Sequence, residues 1–213
     1  MAMKLYSGPL SMFGAKAEIA VLEKGVACER EFVPFNLTTL YEPKHPVVAR
    51  VNPKQQVPVL VDGDLELFDS TQIFEYLEDV APEPALWPRE PRARARARLL
   101  ELRSDEVFFP HVITIMPQRT RATPAEADAA RAAIHAYYDE MERLLDGREY
   151  LAGTYSYADI AFFMAQSFAT FLGAPWGDGH SRLDAWRDRV AARPAVQRVL
   201  GAMVEYAASA RAS

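Results

Sequence analysis

The period of the hydrophobic pattern changes once along this chain, near residue 80, and no other feature constrains the fold as strongly. Before that point, stretches of alternating apolar residues, which are typical of strands, are interleaved with stretches of helical spacing. After it, the apolar residues keep helical spacing to the end of the chain. The 213 residues therefore predict two units, one of mixed strands and helices and one made only of helices.

The first unit has the predicted element order βαβαββα. Met3 to Ser7 predicts a strand, and Ser11 to Lys24 predicts a helix that Gly25 ends. The next elements are a strand in "EREFVPFNL", a short helix in "VVARV", a β-hairpin around Asp62, Gly63 and Asp64, and a helix from Ser70 through "TQIFEYLEDV". A strand–helix–strand start followed by an antiparallel hairpin predicts one mixed four-stranded sheet with helices on its faces, which is the thioredoxin-like α+β arrangement.

A segment rich in proline separates the two units. Residues 81–91, "APEPALWPREP", contain four prolines and no periodicity, so they predict a linker. We assign residues 1–80 to the first domain and residues 92–213 to an all-α helical bundle, with helices near 92–117, 124–145, 157–172, 181–192 and 195–208. Ser156 and Asp159 have the spacing of a capping box in front of a strongly apolar helix, which we expect to be the core of the second domain.

The composition excludes several classes of function. The single cysteine, Cys28, leaves no internal disulfide or CxxC pair, and four scattered histidines show no metal-ligand spacing, so we expect no metal. A net charge of −5 argues against nucleic acid as a partner. The five arginines between Arg92 and Arg103 fan around a helix, which indicates a solvated helix start or a subunit contact.

The sequence shows no signal for a membrane or a secretory route. It contains no run of about eighteen apolar residues, and the start "MAMKLYSGPL" lacks the pattern of a secretory signal. We therefore expect a cytoplasmic protein that does not bind membranes.

Pro58 stands at the threshold of the hairpin's first strand, in "QQVPVLVD". A proline cannot donate a hydrogen bond to a sheet, so its place is an edge strand, a strand's first residue or a cis turn. The residues alone favour a trans proline that opens an edge strand, because cis bonds are the minority before proline.

Three stretches of the sequence, in this order and spacing, resemble the cytosolic glutathione S-transferases, in particular the bacterial serine-type, theta/zeta-like members. They are "LYSGPLSMFGAKAEIAVLEKGV", "NPKQQVPVLVDGDLELFDSTQIFEYLED" and "YLAGTYSYADIAFF", and the resemblance covers the whole chain. It implies an enzyme of detoxification that conjugates the thiolate of glutathione, its cosubstrate, to a small hydrophobic electrophile. It also implies a cis bond before Pro58, and a homodimer in which the helix after the linker meets the partner's first domain.

The resemblance implies that Ser11 is the catalytic residue. A thiol with a pKa of about 8.5 is mostly protonated at neutral pH, so the reaction needs a group that stabilises the thiolate. A hydroxyl at the start of the first helix can do this by hydrogen bonding, together with the positive end of the helix. Tyr6 and Ser7 are alternatives, because tyrosine-type relatives carry their hydroxyl at the end of the first strand.

The resemblance also implies a set of residues that bind glutathione. The backbone of Val57 is expected to pair with the cysteinyl backbone, in the manner of an added strand. Asp69, where the family most often has Glu, is expected to meet the ammonium, and the start of the next helix is expected to attract the carboxylate beside it. The full set is Phe13, Lys44, His45, Val57, Pro58, Asp69 and Ser70, in which Lys44 and His45 would bind the glycine carboxylate.

The acceptor site is expected on the first long helix of the second domain, where relatives wall this site. The residues there are mostly apolar, which implies a hydrophobic electrophile. The predicted acceptor residues are Phe108, His111, Ile115 and Met116.

Two other functions remain open from the sequence. "MKLYSGP" and "AVLEKGV" also resemble the stringent starvation protein A group, which has this shape and binds RNA polymerase without transferase activity. A glutathione-dependent isomerase or peroxidase would differ only in its acceptor. Disulfide exchange is not expected, because the position that carries a cysteine in thiol-transferase relatives has none, and Cys28 is interpreted as a packed small hydrophobe.

Overall fold

The computed structural model describes residues 2–36, 38–117 and 119–212, with side chains up to residue 210. The chain divides into two compact units, one of Met1–Pro84 together with Arg193–Ser213, and one of Ala85–Ala192. Within the described ranges, every helix is too short or too polar to cross a membrane.

The first unit contains a four-stranded sheet in the order β2-β1-β3-β4. Its strands are β1 (Met3–Ser7), β2 (Cys28–Phe32), β3 (Val59–Asp62) and β4 (Leu65–Phe68). The helices before the linker are α1 (Met12–Lys24), α2 (Pro46–Val51) and α3 (Ser70–Val80). β1 runs parallel to β2 and antiparallel to β3, and β3 and β4 form the hairpin. The predicted order βαβαββα and the mixed sheet are confirmed.

The second strand is shorter than the sequence predicts. It was expected through "EREFVPFNL" but ends at Phe32. Pro34 follows two residues later and has no N–H to continue the ladder. The last residue of the predicted stretch, residue 37, lies outside the described residues.

Alternation along β1 divides its side chains between the two faces of the sheet. Tyr6 packs in an apolar cluster with Val33, Val48 and Val59. Ser7 points to the opposite face, where its hydroxyl contacts helix α1. The two polar side chains at the end of β1 therefore lie in different environments.

The last helix, α9 (Pro194–Ala212), belongs to the first unit, which corrects the predicted domain 92–213. Arg193 donates two hydrogen bonds of 2.7 Å to the Glu23 carboxylate of α1, and the Tyr206 hydroxyl donates to the Phe35 carbonyl at 3.3 Å. Helical spacing predicts a helix here but does not specify its neighbours, so the sequence could not assign it to the right unit.

The second unit begins inside the predicted linker. The Trp87 side chain is only 1% exposed, and its ring lies 4.8 Å from that of Tyr157. The Leu86 carbonyl accepts a hydrogen bond of 3.1 Å from the Tyr157 amide. The second half of the proline-rich segment is therefore packed structure and not a free linker.

The helices of the second unit are α4 (Pro91–Arg103), α5 (Phe109–Thr114), α6 (Pro124–Leu144), α7 (Tyr157–Phe171) and α8 (Ser181–Ala191). A π-helical turn, Ser104–Phe108, joins α4 to α5, where the sequence predicts one continuous helix. The Phe109 amide donates to the Ser104 carbonyl, five residues back. Pro110 has no N–H for the normal bond to residue 106, and widening the turn here is one way in which a helix accommodates the missing bond.

Helix α7 forms the core of the second unit, as predicted, and Asp159 organises its start. The capping box with Ser156 is present, and the Asp159 carboxylate is fully buried. It accepts hydrogen bonds of 2.9 Å from the Leu151 amide, the Ser156 amide and the Trp186 indole N–H. Burial raises the pKa of Asp159 from its ordinary value of 3.8 to about 6, although these donors favour the charged form.

We expect Asp159→Ala to lower the free energy of unfolding by about 3 kcal/mol, because it leaves buried N–H groups without an acceptor. Asp159→Asn keeps one oxygen acceptor and should cost less.

The folded carboxyl holds its proton more tightly than the unfolded one, so the contribution of Asp159 to stability should be largest below pH 3.8 and decrease through about pH 6. Denaturant unfolding of wild type and Asp159→Asn across this range tests the sign, and an advantage of wild type that grows with pH would contradict it.

Candidate active site

The register of the sheet brings three strand ends to one edge: the end of β1, the start of β3 and the end of β4. Tyr6 pairs with Val59, so the end of β1 lies beside the start of β3. Val59 in turn pairs with Phe68, so the end of β4 lies beside the start of β3 as well. Three predicted site residues lie close to these strand ends in the chain: Asp69 directly follows β4, Val57 precedes β3 by two residues, and Ser11 follows β1 by four. The sheet therefore collects at one edge residues that are far apart in sequence.

Ser11 is the N-cap of helix α1. Its backbone is extended, and its hydroxyl oxygen accepts a hydrogen bond of 3.0 Å from the Gly14 amide. The Ser11 amide is fixed by the Gly8 carbonyl at 3.0 Å. Among the described residues, none accepts the proton of the Ser11 hydroxyl, and the side chain keeps 9% residual exposure. The hydroxyl can therefore donate to a ligand while it caps the helix.

Ser7, one of the alternatives to Ser11, uses its hydroxyl inside the protein. It is fully buried and donates a hydrogen bond of 2.5 Å to the Glu18 carboxylate of α1. A Cβ on Gly14 would overlap the Ser7 hydroxyl oxygen, so the close approach of α1 to β1 requires glycine at that position. The other alternative, Tyr6, lies on the opposite face of the sheet.

A polar network, buried at Ser7 and Glu18 and exposed at Arg30, holds α1 against the sheet. The Glu18 carboxylate accepts from Ser7 on one oxygen and from the Arg30 guanidinium on the other, at 2.8 Å. This network ties α1 to β1 and β2 close to the helix start that carries Ser11. Sequence reasoning missed Glu18 and Arg30. The available signal was a pair of charged residues, Lys16 and Glu18, within an otherwise small and apolar stretch of helix.

Val57 lies in a loop that Asn52 holds in place. The Asn52 side chain, 4% exposed, donates to the Gln56 carbonyl at 2.6 Å and accepts from the Lys54 amide at 2.9 Å. The Val57–Pro58 peptide bond is cis. Neither the amide nor the carbonyl of Val57 makes a hydrogen bond within the described part of the chain. A donor and an acceptor on one half-buried residue are thus available to an extended peptide.

Asp69 and Ser70 begin helix α3 at the same edge. Asp69 caps the helix by accepting from the Thr71 and Gln72 amides at 3.0 and 3.4 Å. Its φ of 77° is a region that side-chain-bearing residues rarely adopt. The Ser70 side chain is 2% exposed, and its hydroxyl has no hydrogen-bond partner among the described residues. Backbone strain of this kind is concentrated at functional sites.

The other predicted glutathione-binding residues have partners within the chain. Lys44 pairs with Glu42 at 3.0 Å, and the His45 Nε2 lies 3.1 Å from the Glu31 carboxylate. A ligand carboxylate would have to compete with these two acidic groups. Phe13 is half-buried in the first turn of α1, and its ring lies 5.5 Å from the Lys16 ammonium.

The structure corrects one of the predicted acceptor residues. Phe108 is fully buried, and its ring packs against those of Tyr137 and Phe162 at centroid distances of 5.1 and 5.4 Å, so it belongs to the core and cannot contact an acceptor. Ile115 is 8% exposed and Met116 is half-buried. His111 lines an open depression on the second unit.

Cys28 lies on β2 and is poorly suited to thiol chemistry. Burial raises the pKa of its thiol to about 11, so the thiolate is a minor species near neutral pH. This is consistent with the interpretation of Cys28 as a packing residue.

Comparison with known families decides between the classes of protein that share such a sheet. The family model "Glutathione S-transferase, N-terminal domain" matches residues 5–85, and "Glutathione S-transferase, C-terminal domain" matches residues 99–194. The chain belongs to the glutathione S-transferase family. The resemblance to this family that the sequence indicates is thereby confirmed for the N-terminal and for the C-terminal domain.

Proteins with different names resemble the chain. A stringent starvation protein A homolog from Pasteurella multocida is 30% identical, over 93% of this chain and 90% of that protein. The structure of a glutathione S-transferase from Rhodospirillum rubrum F11 superimposes with a TM-score of 0.78 at 30% identity, covering 93% of this chain and 91% of that one. The β-etherase LigF from Sphingobium sp. strain SYK-6 gives a TM-score of 0.81 at 28% identity, covering 94% and 99%.

We expect the two substitutions Asp69→Gly and Asp69→Ala to separate capping from backbone strain. Both remove the cap, but only alanine keeps a Cβ at a φ of 77°. Asp69→Ala should therefore be less stable than Asp69→Gly by about 1 kcal/mol in urea unfolding. The same pair of substitutions at Thr123, the N-cap of α6 with a φ of −67°, is the control: it measures the ordinary preference for glycine over alanine at an N-cap and should favour glycine less than Asp69 does. Equal stability of both Asp69 variants would show that the strain is not imposed by the fold.

Proposed function

We propose that this glutathione S-transferase family member is a glutathione transferase, which joins the glutathione thiolate to a small hydrophobic electrophile. One observation carries the proposal: two groups without a hydrogen-bond partner among the described residues lie at the same edge of the sheet. They are the hydroxyl proton of Ser11 and the backbone amide and carbonyl of Val57. The first can hold a thiolate, and the second can hold the peptide that bears it. Such conjugation serves detoxification, as the resemblance implies.

The tripeptide would bind along this edge. The cysteinyl N–H and C=O of glutathione would pair with the carbonyl and amide of Val57, next to Pro58, as a short added strand. At the γ-glutamyl end, the Asp69 carboxylate would meet the ammonium, and the first amide of α3 with the Ser70 hydroxyl would bind the carboxylate. Phe13 would flank the peptide from the first turn of α1.

The glycine end would reach the segment before α2. Lys44 and His45 could bind its carboxylate by exchanging their present partners, Glu42 and Glu31. Because those ion pairs are partly exposed, the exchange should contribute little net affinity. The binding energy would therefore come mainly from the other two parts of the tripeptide.

The chemistry needs only an ionised thiol held in place. The thiol proton leaves to water, the Ser11 hydroxyl donates to the sulfur anion, and the positive end of α1 adds to its stability. The sulfur then forms a bond to the electrophilic carbon, and either a leaving group departs with the bonding electrons or, in an addition to a double bond, the resulting carbanion takes a proton from water. Three of the four predicted acceptor residues remain candidates for the acceptor site: His111, the largely buried Ile115 and the half-buried Met116.

A second candidate is a non-catalytic protein that binds RNA polymerase, as was predicted from the resemblance to the stringent starvation protein A group. It is favoured by the 30% identity with the Pasteurella multocida protein of that name, over nearly the whole chain. Retention on immobilised glutathione, followed by elution with free glutathione, supports the transferase. Passage through the resin favours the second candidate.

We expect Ser11→Ala to lower kcat/KM for the conjugation of glutathione to chlorodinitrobenzene at least tenfold, about 1.4 kcal/mol of transition-state stabilisation. The reason is the loss of the hydrogen bond to the thiolate, so the pH profile of kcat/KM should also shift to higher pH. Stopped-flow or steady-state assays on the folded variant measure both.

Two variants serve as controls for this measurement. Ser11→Thr keeps a hydroxyl and a helix cap and should retain most of the activity, whereas Tyr6→Phe should leave the rate unchanged. An unchanged rate in Ser11→Ala with a loss in Tyr6→Phe would transfer the catalytic role to Tyr6.

We also propose a homodimer in the cytoplasm. Leu99 and Leu102 lie three residues apart on one face of α4 and are 54% and 50% exposed, and Val107 of the π-turn is 47% exposed. A run of exposed apolar residues on a helix of a water-soluble chain favours a protein interface. The free Cys28 agrees with a reducing compartment.

We expect Leu102→Glu to shift the protein from dimer to monomer, because it would place a charge in the apolar interface. Multi-angle light scattering after gel filtration measures the mass of the particle. Val204→Glu, on α9 at an even more exposed apolar residue, is the control and should remain dimeric. A wild-type mass of a single chain would contradict the proposal.

A further inference from the structure

The segment before α2 lies on the side of the candidate active site opposite to Asp69. In the strand order β2-β1-β3-β4, β3 lies between β1 and β4. A tripeptide that begins at the start of α3, after β4, and crosses Val57, before β3, therefore ends on the side of β1. Two strand spacings of about 4.8 Å match the length of about three extended residues. On that side the His45 ring packs against the ring of Tyr6, at a centroid distance of 5.1 Å.

Acidic side chains already hold the two basic residues of this segment. The Lys44 ammonium lies 3.0 Å from the Glu42 carboxylate, and the His45 Nε2 lies 3.1 Å from the Glu31 carboxylate. The other ring nitrogen of His45, Nδ1, is buried and has no hydrogen-bond partner among the described residues. Nε2 is therefore the ring nitrogen through which His45 could contact a ligand, and Glu31 occupies it.

The charges around these two pairs do not favour a further anion. Lys4 of β1 lies 3.1 Å from Glu29 and 3.1 Å from Glu31, so Glu31 is shared between Lys4 and His45. The ion pairs of this surface thus contain three carboxylates, those of Glu29, Glu31 and Glu42, against two ammonium groups and one imidazole. A ligand carboxylate would add another negative charge, and it would gain a cation only when a carboxylate of the protein loses one.

Opening the two pairs is feasible but yields little net attraction. The Lys44 and Glu42 side chains are 29% and 56% exposed, and those of His45 and Glu31 are 19% and 36% exposed. Replacing one carboxylate by another at a partly exposed cation leaves the number of ion pairs unchanged, and pairs of this kind contribute little each. A ligand that is uncharged at this end leaves both protein pairs intact. It should therefore bind about as well as one that carries a carboxylate there.

We propose that the site accepts glutathione whose glycine carboxyl is esterified or amidated as readily as glutathione itself, and that Glu42 and Glu31 determine this specificity. The inference rests on the proposed glutathione transferase and widens its thiol substrate to a chemical class. The γ-glutamyl group and the cysteinyl backbone remain required, because they are the parts that meet the start of α3 and the backbone of Val57.

Steady-state conjugation of chlorodinitrobenzene to three thiols tests the proposal. Glutathione and its glycine monoethyl ester differ in one charge, whereas cysteinylglycine lacks the γ-glutamyl group. After subtraction of the uncatalysed rate, we expect kcat/KM for the ester within about threefold of that for glutathione, and a value at least about tenfold lower for cysteinylglycine. A larger preference for glutathione over its ester would overturn this inference and leave the proposed transferase intact. No conjugation of any of the three would overturn both.

Glu42→Gln tests the role of the ion pair with Lys44. It removes the charge that holds the ammonium and keeps the size of the side chain. The KM for glutathione should therefore fall about threefold, with kcat and the KM for the ester unchanged. Equal KM values for glutathione in wild type and Glu42→Gln, or a parallel change for the ester, would overturn the role of Glu42.

Glu66→Gln is the matched control. Glu66 pairs with Arg50 at 2.6 Å, also at a partly exposed position of the first unit, and neither residue belongs to the predicted site. The substitution removes the same charge and should keep both KM values within about twofold of wild type. A fall in the KM for glutathione as large as that of Glu42→Gln would show that net charge, and not the release of Lys44, causes the effect, and it would overturn the assignment.

Discussion

The antiparallel pairing of β1 with β3 is the constraint on which the candidate active site depends. With Tyr6 opposite Val59, the end of β1 and the start of β3 share one edge, and the hairpin then brings the end of β4 to the same place. A slip of one residue in β1 would exchange the faces of Tyr6 and Ser7. It would move a tyrosine ring under α1 and a hydroxyl into an apolar cluster, so the burial of both residues fixes the register.

The position of α1 against the sheet follows from that register. Ser7 faces α1 and meets Glu18, which Arg30 holds from β2, and Gly14 permits the close approach. The buried hydrogen bond between Ser7 and Glu18 specifies one arrangement more sharply than apolar packing would. Its consequence for function is indirect: it fixes the helix start at which Ser11 caps the backbone and keeps its proton for a ligand.

Local signals in the sequence predicted local structure well. Gly25 adopts a φ of 64° as the residue after α1, Ser11 is its N-cap, and Ser156 with Asp159 forms the expected capping box. Each depends on residues within one or two turns. The element order followed from the same short-range patterns, and with the resemblance it was sufficient to identify the candidate site at the sheet edge.

The errors concern contacts that are distant in sequence. The assignment of α9 to the first unit depends on an ion pair between Arg193 and Glu23, and the burial of Phe108 depends on rings from two other helices. The pairing of His45 with Glu31, on another segment, is a tertiary feature of the same kind, whereas Lys44 pairs with Glu42 only two residues away. Helical spacing indicates which residues share the apolar face of a helix, but it does not indicate which other segments that face contacts.

The central claim is that one sheet edge holds a tripeptide by the backbone of Val57 and its sulfur by Ser11. A crystal structure of the protein with glutathione tests it most directly. The account predicts two hydrogen bonds between Val57 and the cysteinyl backbone, with the sulfur within about 3.5 Å of the Ser11 hydroxyl oxygen. A sulfur that contacts another hydroxyl, or a tripeptide bound without Val57, would contradict it.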